Sequence, residues 1–120
     1  MKYLSIVDLV QNNNRPIDYQ LEQGNRQPID LPDGTIVKLA LEQINGTKLV
    51  VVECEVLQFT DVDSKVRNKG KVRIPFNGSD LDTVGSYKGQ FQVERPSGER
   101  FSVPNKRWEP FFVNADLVPG

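Results

Sequence analysis

Apolar residues along this 120-residue chain seldom recur at three- and four-residue intervals. They alternate instead with polar ones, in short runs rich in β-branched and aromatic side chains. A period of two puts successive side chains on opposite faces of an extended strand, whereas an amphipathic helix needs a period near 3.6. The runs predict strands at 2–10, 17–22, 35–43, 47–59, 71–76, 86–95, 99–103 and 108–114, with a short edge piece from Ile29 to Leu31. In 35–43, Val37, Leu39 and Leu41 share one face, and Lys38 and Glu42 share the other. In 47–59, Val50, Val52, Cys54 and Val56 oppose Val51, Glu53, Glu55 and Leu57. Val72, Ile74 and Phe76 point inward and Lys71 and Arg73 outward, with Pro75 marking an edge or a bulge. Tyr87, Phe91 and Val93 share a face on which Gly89 sits where a side chain would meet a neighbouring backbone or ring.

Between these runs lie residues that turn the chain: the Asn-rich stretch before Pro16, Pro32-Asp33-Gly34, Asn45-Gly46, the segment 77–85, and Pro96-Ser97-Gly98. Asn45-Gly46 suits a tight primed hairpin turn, and Asp80-Leu81-Asp82 suits a brief helical turn. The polar stretch 61–70, with both charge signs, reads as an exposed loop. About eight short strands at such spacing predict an all-β fold: an immunoglobulin-like two-sheet β-sandwich of about seven to nine antiparallel strands, with a small barrel as the alternative. Residues 1–118 form one domain in this reading.

Composition narrows the classes. Hydrophobic residues make up 38% and charged residues 26%, with 9 Gly and 8 Pro, which suits a folded, turn-rich domain. The 15 basic residues nearly cancel the 16 acidic ones, so no long-range field draws the chain to nucleic acid or an anionic membrane. Histidine is absent and Cys54 is the single cysteine, which removes His-dependent triads, zinc clusters and an internal disulfide. The longest apolar run, Leu49 to Val52, is far below the ~20 residues that span a bilayer, so no membrane partner is expected. Asp8 interrupts the amino-terminal apolar residues before they form a signal-peptide core, and synthesis in the cytosol is the expectation.

Candidate chemistry is sparse. Asp61 with Asp63, and Asp80 with Asp82, could hold calcium only if their loops met, and neither run matches the twelve-residue calcium loop. Solvated loop carboxylates are the plainer account, so neither metal nor cofactor is expected. Cys54 reads as a small buried apolar residue, with nothing in the sequence to activate it. No Gly-Xaa-Ser-Xaa-Gly elbow, Ser-Xaa-Xaa-Lys pair or Gly-rich phosphate loop is present, so catalysis is not expected.

Two groups of residues stand out as binding candidates. Lys65, Arg67, Lys69, Lys71 and Arg73 alternate so that an extended segment points five cations to one side, which could track phosphates of a single strand. Aromatics for base stacking do not interleave with them, and a solvated strand face that discourages edge aggregation gives the same pattern. A single-stranded nucleic-acid-binding barrel is therefore the runner-up. The second group is Trp108, Phe111 and Phe112. Core packing explains most aromatics of the last third, but in a regular strand either Phe111 or Phe112 must face away from the core, which marks a candidate interface. Trp108 is also the natural stacking platform if the domain binds carbohydrate.

Several segments carry a family resemblance. Asn14-Arg15-Pro16-Ile17 precedes Pro28-Ile29-Asp30-Leu31, and Gly70-Lys71-Val72-Arg73-Ile74-Pro75-Phe76 follows. Next come Val84-Gly85-Ser86-Tyr87-Lys88-Gly89-Gln90-Phe91-Gln92-Val93 and Pro96-Ser97-Gly98-Glu99-Arg100-Phe101-Ser102-Val103-Pro104. In this order they resemble the small immunoglobulin-like domains of tailed-phage virions, including the amino-terminal domain of upper baseplate proteins. The resemblance implies a virion structural protein that docks onto a tail or baseplate core, with other virion proteins or copies of itself as partners. It implies assembly in the host cytoplasm followed by incorporation in the virion, and it carries over no active site.

Overall fold

The computed structural model describes residues 7–22, 28–57, 70–104 and 108–116. Among them are eight strands and no helix: β1 (Val7–Val10), β2 (Ile17–Gln20), β3 (Ile36–Gln43), β4 (Leu49–Val56), β5 (Lys71–Ile74), β6 (Gly85–Glu94), β7 (Arg100–Val103) and β8 (Glu109–Asn114). The protein is all-β. Its strands pair in the order β1-β8-β6-β3-β4-β5-β2, with β7 also beside β6.

The sheet curls. β4 pairs with β3 from Leu49 to Cys54 and passes to β5 at Glu55 and Val56. The curl brings β2, the last strand in the order, back across the core: the Tyr19 ring stacks on Phe91 of β6 at 5.0 Å and lies 6.3 Å from Phe111 of β8. The concave side holds the inward residues of the alternating runs, including Val37, Leu39, Leu41, Val50, Val52, Cys54, Val72, Ile74, Tyr87, Phe91, Val93, Phe111 and Val113, all buried. Each large apolar side chain removed from water in this way contributes roughly 1.5–3 kcal/mol before chain entropy is set against it.

One pairing departs from the expected antiparallel arrangement. β1 and β8 are parallel, with Val7 opposite Phe111 and Val10 opposite Asn114. Parallel neighbours need a long connection, and here that connection is the rest of the domain.

Local differences have local causes. Ile29 to Leu31 forms no strand; the Ile29 amide donates to Leu21 O at 3.0 Å, beside an isolated bridge between Glu22 and Pro28, and Ile29 and Leu31 are buried as core side chains. Phe76 is buried but lies beyond β5, because Pro75 has no N–H with which to continue the ladder. Asp80 to Asp82 follow a turn rather than a helical piece, with Asn77 Oδ1 accepting from the Ser79 and Asp80 amides at 3.1 Å each. The β3–β4 connection is longer than a two-residue primed turn: the Gln43 amide donates to Lys48 O, while the Gln43 side chain accepts from the Lys48 amide. Only Asn45 in that loop takes the left-handed conformation expected of a non-glycine turn residue, at φ 63°. Residues 2–6 of the expected first strand, and 58 and 59 of the expected fourth, lie outside the described residues.

The connection from β5 to β6 is pinned at several points. Phe76 and Leu81 are buried, Leu81 O accepts from the Asn12 amide at 2.9 Å, and the Lys48 ammonium donates to Ser79 O at 2.8 Å and pairs with Asp82. Tyr87 is buried, and its hydroxyl donates to Thr83 O at 2.6 Å. This segment thereby joins β1, the β3–β4 hairpin and β6.

Candidate interaction surface

Alternation along β8 divides its aromatics between two environments. Phe111 lies opposite Tyr87 and Val7 and is 1% exposed. Its ring occupies the space above Gly89, where any Cβ would overlap it, with Leu41 close behind. A glycine at this point of β6 therefore lets an aromatic of the next strand cross it. Phe112, one residue on, lies opposite Ser86 and Asp8 and is half-buried on the convex side. Trp108 precedes β8 and is 43% exposed, with the Lys88 ammonium 5.9 Å from its ring centroid. Lys88 itself faces out opposite Pro110. Trp108, Pro110, Phe112 and Lys88 thus make up a partly apolar outer surface along β8 and β6, while Phe111 belongs to the core.

On the concave side, Tyr19 of β2 reaches across to β6 and β8. Burial first, then the charges of Glu109 and Glu22 and a hydrogen bond with Glu109, push its phenol well above the usual tyrosine range. Burial likewise pushes the Cys54 thiol up to about 12. Such a thiol is inert, because the thiolate is the nucleophile.

Of the basic stripe, Lys65, Arg67 and Lys69 lie outside the described residues. Lys71 is exposed on β5. Arg73 holds Asp18 of β2 with two hydrogen bonds, Nε to Oδ1 at 2.8 Å and Nη2 to Oδ2 at 3.3 Å, across a register pair. The Arg73 hydrogen bond holds the Asp18 carboxyl below the usual carboxylate range. Asp61 and Asp63 lie outside the described residues. Asp80 accepts from the Asn77 amide at 2.9 Å, and Asp82 serves Lys48 and Thr83. Among the described residues no group of three or more acidic or Cys side chains could hold a metal ion, and no helix is long and apolar enough to cross a membrane.

Lys88, Leu49 and Val51 are outward residues that alternation alone does not single out. Lys88 gives no sign of its position beside Trp108, since twenty residues separate them and only the β6–β8 register brings them together. Leu49 and Val51 stand outward at 61% and 60% exposure. The signal available for them was apolar residues on both parities of one strand.

Neither a family model nor a curated protein matches this chain.

Proposed function

We propose that this chain is an immunoglobulin-like β-sandwich that serves as a structural module of a tailed-phage virion, in its tail, baseplate or connector, and that it works by protein–protein contact and not as an enzyme. The sandwich reading is supported by Tyr19 of β2 stacking on Phe91 and Phe111 across the core, as a side chain between two facing sheets would. The virion reading rests on the ordered segments that resemble the phage domains. The observation that carries the contact reading is Trp108, exposed on the convex side with Lys88, Pro110 and Phe112 around it. Tryptophan with aromatic neighbours is the composition of an interface centre, where a few residues supply most of the affinity.

The test is co-expression with the products of the adjacent genes, followed by size-exclusion chromatography with light scattering. A stable complex with one of them is expected, weakened roughly 30-fold by Trp108→Ala, a loss typical of an interface hot spot. A folded wild-type domain that binds none of these neighbours overturns the reading.

A further inference from the structure

We propose that Asn45 is a site of spontaneous deamidation, attacked by the backbone nitrogen of Gly46, while the same dipeptide at Asn77-Gly78 is protected by the fold. Asn45-Gly46 and Asn77-Gly78 are the two Asn-Gly pairs of the chain. Glycine matters because it carries no side chain to hinder the nitrogen that follows the asparagine. In the reaction the Gly46 nitrogen bonds to Asn45 Cγ. The Gly46 amide proton and the side-chain NH2 leave together as ammonia, and a five-membered succinimide closes. Water then opens the ring at either carbonyl, giving aspartate or isoaspartate. The step involves no change of oxidation state, and the chain gains one negative charge.

The β3–β4 loop leaves Asn45 ready for this step. Asn45 and Gly46 are both exposed, so water has access to the ring that forms. The bonds that close the loop lie outside the pair: the Ile44 amide donates to Ser86 O at 2.9 Å, and the Gln43 amide donates to Lys48 O at 2.8 Å. Among the described residues neither Asn45 nor Gly46 makes a hydrogen bond, so closing the ring breaks none. The hairpin also holds both residue types in place. Asn45 sits at φ 63°, a conformation that asparagine tolerates better than most side chains. A Cβ on residue 46 would meet the Gln43 side-chain oxygen at 2.2 Å, and that oxygen accepts from the Lys48 amide. The pair that makes the turn is therefore the pair that reacts.

Asn77 has the same successor and opposite surroundings. Its Oδ1 accepts from the Ser79 and Asp80 amides at 3.1 Å each and from the Ser79 hydroxyl at 2.7 Å. Its own amide donates to Asp80 Oδ2 at 2.9 Å, and its carbonyl accepts from the Asp80 amide at 3.1 Å. Gly78 is half-buried, and a Cβ there would lie 3.7 Å from Asn12 O. Ring closure turns both the side-chain amide and the peptide plane after Asn77, and so takes this network apart. Each bond given up adds to the barrier, and buried Phe76 and Leu81 on either side resist the movement. Exposure does not separate the two asparagines, because both are exposed; their hydrogen bonds do. The inference goes beyond the assembly reading and does not depend on Trp108.

The experiment ages the intact chain in mildly alkaline buffer, both folded and in urea. Peptides carrying each asparagine are followed by mass spectrometry, with isoaspartate read by enzymatic methylation. In the folded protein Asn45 should convert at least ~10-fold faster than Asn77. In urea the two rates should come together, with Asn77 rising, because the glycine that follows then decides both. Gly46→Ala, which places a methyl beside the attacking nitrogen, should slow Asn45 in both states and leave Asn77 unchanged. An Asn45 that stays amidated in the folded chain overturns the proposal, and so does an Asn77 that keeps pace with it. Two sites that differ as much in urea as in the folded chain also overturn it, since the fold would then not set the difference. Conversion of Asn45 that is indifferent to Gly46→Ala excludes the succinimide route and overturns it as well.

Discussion

β6 and β4 are both long strands beside β3, yet their far edges are treated in opposite ways. β6 divides its far edge between two partners: β8 takes Gly85 to Gly89 and β7 takes Phe91 to Glu94. At the changeover, Gln90 reaches the Pro104 carbonyl through its side chain, at 3.4 Å. Among the described residues, the far edge of β4 is paired at Glu55 and Val56. The lesson is that a sheet can be closed along one strand and left open along another when a single proline removes the next rung. Closure at β6 serves stability. Beyond Pro75 no further described strand continues the far edge of β4.

The largest expected effect tests the closed side. Phe111→Ala removes the ring that lies over Gly89 and against Tyr19, and should cost about 3–5 kcal/mol in denaturant unfolding. A cost below ~1 kcal/mol would mean that the β6–β8 half is not packed as described. By contrast, Val51→Thr on the open edge should stay within about 0.5 kcal/mol, as surface changes do.

A middle-sized effect asks whether the open edge frays. Cys54 is the last β4 residue before β5 takes over, and its thiol is pushed from 9.0 to about 12 by burial. At pH 8 it should react with iodoacetamide far more slowly in the folded chain than after denaturation; rapid labelling of folded protein would show that β4 detaches from its open side. The raised value also fixes the sign of a pH effect. The thiol's contribution to stability is complete below 9.0, the unfolded value, and is lost as pH rises from there toward about 12.

The smallest effect concerns the pair that ties β2 to β5, next to the point where β4 gains its partner. Both groups are solvated, so Asp18→Asn should lower stability only slightly near neutral pH. Because Arg73 depresses the Asp18 carboxyl below 3.8, its contribution is present above that value and fades as acid protonates it. A mutant whose deficit persists unchanged at pH 2 would assign the loss to packing instead of charge.

Much of this fold is legible in the residues. Val37-Leu39-Leu41 and Val50-Val52-Cys54 alternate so cleanly that strand and inward face follow from the period alone, and all six are buried. Gly89 could be read as a point of close approach, although not that Phe111 is what approaches. Alternation names a face but not a neighbour, so the parallel β1–β8 contact left no trace. Phe111 and Phe112 are likewise equivalent until the strand's register decides which is inside. Ile29 and Leu31 read as an edge strand because burial without a ladder has the same composition as burial within one. The surface at Trp108 was half visible, since an exposed ring could be inferred but its companion Lys88 could not.

The parallel contact between the first and last described strands has a mechanical consequence. β1 and β8 run side by side in the same direction, so a chain threaded through the domain enters at one end of this pair and departs at the other. Traction on the two termini then slides the strands along each other and loads the bonds between Val7–Val10 and Phe111–Asn114 together, instead of opening them one by one as in a zipper. A parallel pair of this kind meets a pull along its length in shear.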